Sequence, residues 1–267
     1  MKHVITKPAI AGEKRDRIKS FFVQYASSFR KEDPVYNEHI KLKQNHTARV
    51  VREISKLASS LRLNSKQIAF VEVIAWLHDI GRFEQFDTYG TYEDAQSENH
   101  AEMAHRVIEE YHLLQDFTRE QKLIIQSAIQ NHNQKDIPKE ESETINFYSR
   151  LLRDADKLDI WRVSLETNIF HKIKTETFPA EYIVPYKLVN FFERHQTIPL
   201  SEVDTFYDSV LFRLSWVFDL NFNSSLKQFQ QRKIADLLLQ KLPYSDDLRA
   251  IKVCVDRYIR EKMNRKE

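Results

Sequence analysis

The chain has 267 residues and carries 41 basic against 39 acidic side chains, which leaves a formal net charge of only +2. A charge balance this close to neutral disfavours nucleic-acid binding, because proteins that bind nucleic acids usually carry a basic cluster or stripe. The sequence has only three glycines, which disfavours a sheet protein with many tight turns and favours long helices. A single cysteine, Cys254, excludes an intramolecular disulfide and is typical of a reducing compartment.

Apolar residues are spread along the chain rather than collected in one long run. No apolar stretch approaches the roughly 18 residues that a membrane span needs, and the first residues lack the apolar core of a signal peptide. We therefore expect a cytoplasmic protein without a membrane partner. The scarcity of glycine predicts an all-α fold.

The first part of the chain predicts amphipathic helices. Residues 1–12 form a lead, and apolar residues recur at helical spacing over residues 13–30. Asp33 and Pro34 are typical of the N-cap and first turn of a new helix. In that helix His46 shares one face with aliphatic residues, so we expect its imidazole to point inward.

The next helix ends in two ionisable residues. Asn64 is a suitable N-cap, and the apolar run that follows it leads to the dipeptide His78-Asp79. A buried imidazole and a buried carboxylate cost free energy unless they are paired or bound to a metal, so this dipeptide requires partners. We expect Gly81 to end the helix as a left-handed cap and residues 82–97 to form a lid or a binding loop.

Two further helices carry histidines. The helix after the expected loop contains His100 and His105, which lie on different sides of it, so only one of them faces the same cavity as His78. A capping box then begins a short buried helix that ends at His132. His132 thus repeats the arrangement of His78, a histidine at the end of an apolar helix.

A long helix from about residue 145 carries three aspartates, of which Asp156 shares the inward face. Beyond it the chain stays helix-like and rich in aromatic residues. We expect these to pack a core, and some are candidates for a base- or sugar-binding pocket. The patterns predict a helical lead over residues 1–32, a core with the inward polar residues over 33–166, and a helical C-terminal extension over 167–267 that packs on the core.

The inward polar residues form a set of nitrogen and oxygen donors. Two imidazoles and two carboxylates from three helices suit a divalent ion such as Mn, Fe, Co, Ni or Zn, with Mg as a further candidate, and leave coordination positions open to water. An ion that holds water supplies hydroxide near neutral pH and polarises a phosphoryl oxygen. We therefore expect a bound divalent ion and a metal-bound hydroxide as the nucleophile.

The order of these residues resembles the HD domain superfamily of metal-dependent phosphohydrolases, whose members share a His, His-Asp, Asp pattern. The last aspartate lies within Arg-Asp-Ala-Asp-Lys-Leu-Asp at residues 153–159, and the resemblance covers approximately residues 35–165. It implies an HD-domain-like helical bundle with an additional helical C-terminal region. It also implies that four side chains hold one metal ion, namely His46, His78, Asp79 and Asp156.

Some members of the superfamily carry extra histidines that hold a second metal or bind phosphate. His100 and His132 resemble these positions, which would make the centre binuclear with Asp79 as the bridging ligand, so the resemblance implies one or two divalent ions per chain. A helix-terminal histidine bonded to a backbone carbonyl has the same sequence pattern, so that alternative stays open.

Three residues are candidates for catalysis. Asp79 would orient the nucleophile, and Arg82 and Lys157, which adjoin the ligands in sequence, would neutralise the charge of a phosphate. Ordinary solvated ion pairs are the alternative for both cations. The sequence predicts a phosphohydrolase that acts on a small phosphorylated substrate, which is a phosphomonoester, a phosphodiester or a nucleotide. The alternative is a non-catalytic nucleotide-sensing or protein-interaction module that retains the metal site, and the oligomeric state does not follow from the sequence.

Overall fold

The computed structural model describes residues 5–166 and 182–264 of the chain. These residues form α-helices joined by turns and short 3₁₀ segments, and none of them lies in a β-strand. The all-α prediction is therefore confirmed. Within the same two ranges, no helix is long and apolar enough to cross a membrane.

The chain divides into two compact units, and the division falls between Asp156 and Lys157. The helices of the first unit are α1 (Gly12–Ser28), α2 (Pro34–Ser60), α3 (Ser65–Leu77), α4 (Gly81–Tyr89), α5 (His100–Glu110), α6 (Arg119–His132) and the larger part of α7 (Glu143–Glu166). The boundaries expected near residues 32 and 166 stay predictions.

Helix α3 is the central helix of the first unit. Its residues from Ala69 to Leu77 are buried with the exception of Glu72, and α1, α2 and α6 pack against it. A helix that is apolar on every side is stable only when it is covered on every side, and each large apolar side chain buried there contributes about 1.5–3 kcal/mol. This burial places the dipeptide His78-Asp79, which follows α3, inside the unit.

Gly81 does not end α3 as a left-handed cap, which corrects the prediction. The backbone stays helical at His78, with a φ of -57° and a ψ of -40°, and Gly81 is the first residue of α4. A Cβ atom at Gly81 would lie 2.5 Å from the carbonyl oxygen of His100 and 2.6 Å from the amide nitrogen of Ala104. Glycine is needed at this position because α4 and α5 approach each other there.

The loop expected over residues 82–97 is largely helical, which is a second correction. Helix α4 extends to Tyr89 because Phe83 and Phe86, at helical spacing, are buried in the core. It ends at Gly90, whose φ of 66° is the left-handed conformation of a C-terminal cap. The chain between α4 and α5 is irregular apart from a 3₁₀ turn at Asp94–Gln96.

In the described residues, the second unit consists of the end of α7 and five further helices. These are α8 (Tyr186–Glu193), α9 (Phe206–Ser215), α10 (Asn223–Gln231), α11 (Ile234–Leu239) and α12 (Asp246–Asn264). Aromatic side chains form part of its core. Trp161 is fully buried, contacts Phe229 edge to face with 4.8 Å between ring centres, and donates its indole N–H to the carbonyl oxygen of Arg213 at 2.9 Å. The aromatic residues between 167 and 181 lie outside the described residues.

Candidate metal centre

The four side chains predicted to hold one metal ion lie together in the first unit. His46 comes from α2, His78 and Asp79 from the turn between α3 and α4, and Asp156 from α7. The Nε2 atom of His46 lies 3.1 Å from Oδ1 of Asp156 and 3.6 Å from Oδ2 of Asp79. The Nε2 atom of His78 lies 3.8 Å from Oδ2 of Asp79 and 3.9 Å from Oδ1 of Asp156. The structure therefore brings this predicted set together.

The two further histidines, His100 and His132, lie on the other side of Asp79. Their Nε2 atoms are 3.5 Å and 3.9 Å from Oδ1 of Asp79 and 3.0 Å from each other. Both side chains are buried. One oxygen of Asp79 thus faces His46 and His78, and the other oxygen faces His100 and His132.

Backbone carbonyl groups orient two of these histidines. Nδ1 of His78 donates to the carbonyl oxygen of Ala75 at 2.7 Å, and Nδ1 of His132 donates to that of Ile129 at 2.6 Å. Because a carbonyl oxygen can only accept, we assign the ring hydrogen to Nδ1 in both, which leaves Nε2 with a lone pair. Among the described residues, the buried Nε2 atom of His78 has no hydrogen-bond partner. A buried acceptor without a donor is costly unless a cation binds it.

Asp94 orients the third histidine and was not predicted from the sequence. Its carboxylate accepts the Nδ1 hydrogen of His100 at 2.7 Å and also accepts hydrogen bonds from Arg82, Gln85 and Asn133. Burial opposes the ionisation of Asp94, but His100 and Arg82 hold its pKa well below the usual value. A carboxylate bound to the outer nitrogen of a histidine fixes the ring and makes the inner nitrogen a better metal ligand. No sequence pattern indicated this pairing, because it depends on the path of the chain between α4 and α5.

These donors fit divalent cations. The Nε2 atoms of His100 and His132 lie 3.0 Å apart. Two imidazole nitrogens that bind one ion at right angles, with bonds of about 2.1 Å, are also about 3.0 Å apart. The ligand atoms of His46, His78 and Asp156 lie within 4.8 Å of one another, as do those of His78, Asp79 and His132. Mixed imidazole and carboxylate donors suit Mn, Fe, Co, Ni or Zn better than Mg, which prefers oxygen ligands.

A family model described as the SidE phosphodiesterase (PDE) domain matches residues 27–240, which is more than half of the chain. The chain belongs to this family. The matched range contains every residue of the histidine and aspartate cluster and extends through most of the second unit. No curated protein and no solved structure matches the chain. Membership of a phosphodiesterase family confirms the prediction of a phosphate-ester hydrolase at that level, and the relationship to the HD superfamily stays a prediction.

Burial favours the neutral form of the His78, His100 and His132 imidazoles by lowering their pKa, and the pKa of the Asp79 and Asp156 carboxyl groups lies below the usual value. Burial, together with the neighbouring His100 and His78, lowers the pKa of His132 to about 3. Burial opposes the ionisation of Asp79, but nearby positive charge, first that of Lys43, holds its pKa well below the usual range. Neutral imidazole and ionised carboxylate are the forms that bind metals.

Cationic side chains accompany the histidine and aspartate cluster. Arg82, a predicted candidate, has its Nε atom 3.4 Å from Oδ1 of Asp79. Lys157, the other candidate, begins the second unit, where its ammonium lies 2.7 Å from Oδ2 of Asp219, and its role in catalysis stays a prediction. Lys43 was not predicted, although its ammonium lies 3.0 Å from Oδ2 of Asp79. Its position on α2, one turn before the predicted ligand His46, is the signal that indicates it.

Proposed function

We propose that this protein is a metal-dependent phosphodiesterase with a binuclear centre of the HD type. One observation carries the proposal: the two oxygens of Asp79 face two separate groups of imidazole donors. In two-metal phosphohydrolases a pair of neighbouring ions acts on the attacking and the leaving oxygen of the reaction. The proposed substrate is a small molecule with a phosphodiester bond, and a nucleotide is one candidate.

The donors divide between two ion positions. A first ion would be held by the side chains that face Oδ2 of Asp79, together with Asp156, and a second by those that face Oδ1. When bound, such ions supply an activated water and offset the negative charge that develops on a phosphoryl oxygen. Asp79 would be shared by both positions and would orient the reacting groups between them.

The protein's own residues hold the centre in one arrangement. The carbonyl groups before His78 and His132 and the carboxylate of Asp94 fix three imidazoles with Nε2 towards Asp79. Fixed donors need no reorganisation when the substrate arrives, which favours the transition state. The side chains of Lys43 and Asp156 are 17% and 15% exposed, whereas His78 is fully buried. A substrate would therefore meet Lys43 and Asp156 before it met His78.

Metal analysis combined with a turnover assay tests this proposal. The full chain is purified without a chelator, and the ions per chain are measured. Hydrolysis of bis(p-nitrophenyl) phosphate is compared with that of p-nitrophenyl phosphate in the presence of Mn, Co, Ni or Mg. We expect about two ions per chain, turnover of the diester, loss of both in EDTA, and recovery when the ion is added back.

Asp79→Asn is the matched variant for this assay, since it keeps the shape of the side chain and removes its charge. We expect turnover and bound ions to disappear together while the helical circular dichroism is retained. Asp87→Asn changes an exposed aspartate of α4 that binds Tyr36 and Lys31, and it should keep full activity. Turnover that survives EDTA or the Asp79→Asn change overturns the proposal.

A further inference from the structure

Two cations, Arg82 and Lys43, flank Asp79, and they differ in how many hydrogen bonds they donate to other groups of the protein. Nη1 of Arg82 donates to the side chain of Gln85 at 2.8 Å, to the carbonyl oxygen of Tyr92 at 2.6 Å and to Asp94 at 2.9 Å. Its Nε atom lies 3.4 Å from Asp79. Arg82 therefore ties α4 to the segment that follows it through Nη1, and its Nε atom is directed at Asp79.

Lys43 donates fewer hydrogen bonds to the protein than Arg82 does. In the described part of the chain, its ammonium has one charged partner, Oδ2 of Asp79 at 3.0 Å. An ammonium carries three N–H donors, so Lys43 keeps donor capacity. Its Nζ atom also lies 5.1 Å from the centre of the Tyr92 ring, and this cation–π contact stabilises the head group in that position. Lys43 is thus a partly exposed charged donor beside the centre.

We propose that Lys43 binds the phosphate group of the substrate, an inference that rests on the proposed function. The oxygen of Asp79 that holds Lys43 also faces His46 and His78. An ion bound at that oxygen competes with the ammonium for it and repels it, because both are positive. Lys43 then needs another anionic acceptor, and a non-bridging oxygen of a phosphodiester forms a charge-assisted hydrogen bond with it. Arg82 has three other acceptors and stays in place.

Phosphate binding, measured apart from turnover, tests this inference. Inorganic phosphate is titrated calorimetrically into the full chain loaded with Mn, and the ion content of each sample is measured in parallel. Lys43→Met removes the charge and keeps the aliphatic stem. We expect its dissociation constant for phosphate to rise about tenfold or more. Its ion content should be unchanged, since Asp79 has lost a competing cation.

Two further variants control the comparison. Lys43→Arg restores the charge, and we expect it to recover part of the phosphate affinity. Lys41→Met changes an exposed lysine of the same helix that pairs with Glu38 at 3.7 Å, and its phosphate affinity should equal that of the wild type.

Three other outcomes would overturn either this inference or the proposed function. Wild-type phosphate affinity in ion-loaded Lys43→Met overturns the inference and leaves the proposed function intact. Loss of the ions together with phosphate affinity in that variant assigns Lys43 a structural role and also overturns the inference. Absence of ions from the wild-type chain overturns the proposed function, and this inference with it.

Discussion

The Nε2 atoms of His100 and His132 lie 3.0 Å apart in the buried centre, although each offers a lone pair rather than a hydrogen. Asp94 binds Nδ1 of His100, and a backbone carbonyl binds Nδ1 of His132. The pKa of His132, lowered by burial to about 3, excludes a second proton on that ring near neutral pH. Two facing lone pairs repel each other, and a cation that binds both removes the repulsion.

A divalent ion should stabilise the folded chain. At a free ion concentration about 100 times the dissociation constant, binding stabilises the folded state by about 2.7 kcal/mol, which raises the melting temperature by about 5–10 °C. Calorimetric scans of the EDTA-treated chain with and without Mn measure this.

In His132→Ala the ion content should fall from about two to about one. His105→Ala, which changes a half-buried histidine of α5, should keep both ions, and an unchanged ion content in His132→Ala would contradict the prediction.

Asp94 should control the affinity of the second ion position without holding an ion itself. In Asp94→Ala the ring of His100 loses its anionic partner, and we expect the affinity of that position to fall by about 10- to 100-fold, while the first position stays occupied. Competition with a metal-sensitive dye resolves the two affinities. Glu93→Ala changes an exposed neighbour and serves as the control. Equal affinities in the two variants would show that Asp94 does not position His100.

The metal-free chain should lose stability as the pH falls. The pKa of His132 is 6.5 in the unfolded chain and about 3 in the folded chain, because burial disfavours the charged ring. Between these values the unfolded state binds more protons, so the free energy of unfolding decreases towards low pH, by at most about 1.4 kcal/mol per pH unit for this group. Denaturant titrations in EDTA from pH 7.5 to about 5 measure the slope. His132→Gln lacks the titrating ring and should give a shallower slope, and an equal slope would contradict the prediction.

Gly81→Ala should destabilise the fold through a clash with backbone atoms. The new Cβ atom would meet the carbonyl oxygen of His100 at 2.5 Å, and moving α5 away from α4 costs about 1–3 kcal/mol. Gly12→Ala is the matched control, since its Cβ atom would meet only a side-chain atom of Arg15 at 3.8 Å. Thermal unfolding should show a lower melting temperature for Gly81→Ala alone. Equal melting temperatures for the two variants would show that the α4–α5 contact adjusts freely.

The helix starts were predictable because their signals are local. Asp33 accepts hydrogen bonds from the first backbone amides of α2, and Asn64 forms a complete capping box at the start of α3. Each cap involves residues within one turn, so the pattern is visible in the sequence. The prediction for Gly81 was wrong because a glycine that follows an apolar helix has the sequence pattern of a C-terminal cap. Glycine is required there because α5 approaches α4, and the residues adjacent to Gly81 in the sequence do not indicate this contact.

The sequence by itself determined the all-helical fold and the inward histidines and aspartates, because helical spacing fixes which residues share a face. Only the tertiary structure decided which donors meet. The division of the two Asp79 oxygens between two groups of histidines, the support of His100 by Asp94, and the contact of Lys43 with Asp79 all join residues from different elements. Their distances depend on how the helices pack around α3, and packing is set by the burial of many side chains at once rather than by any local pattern.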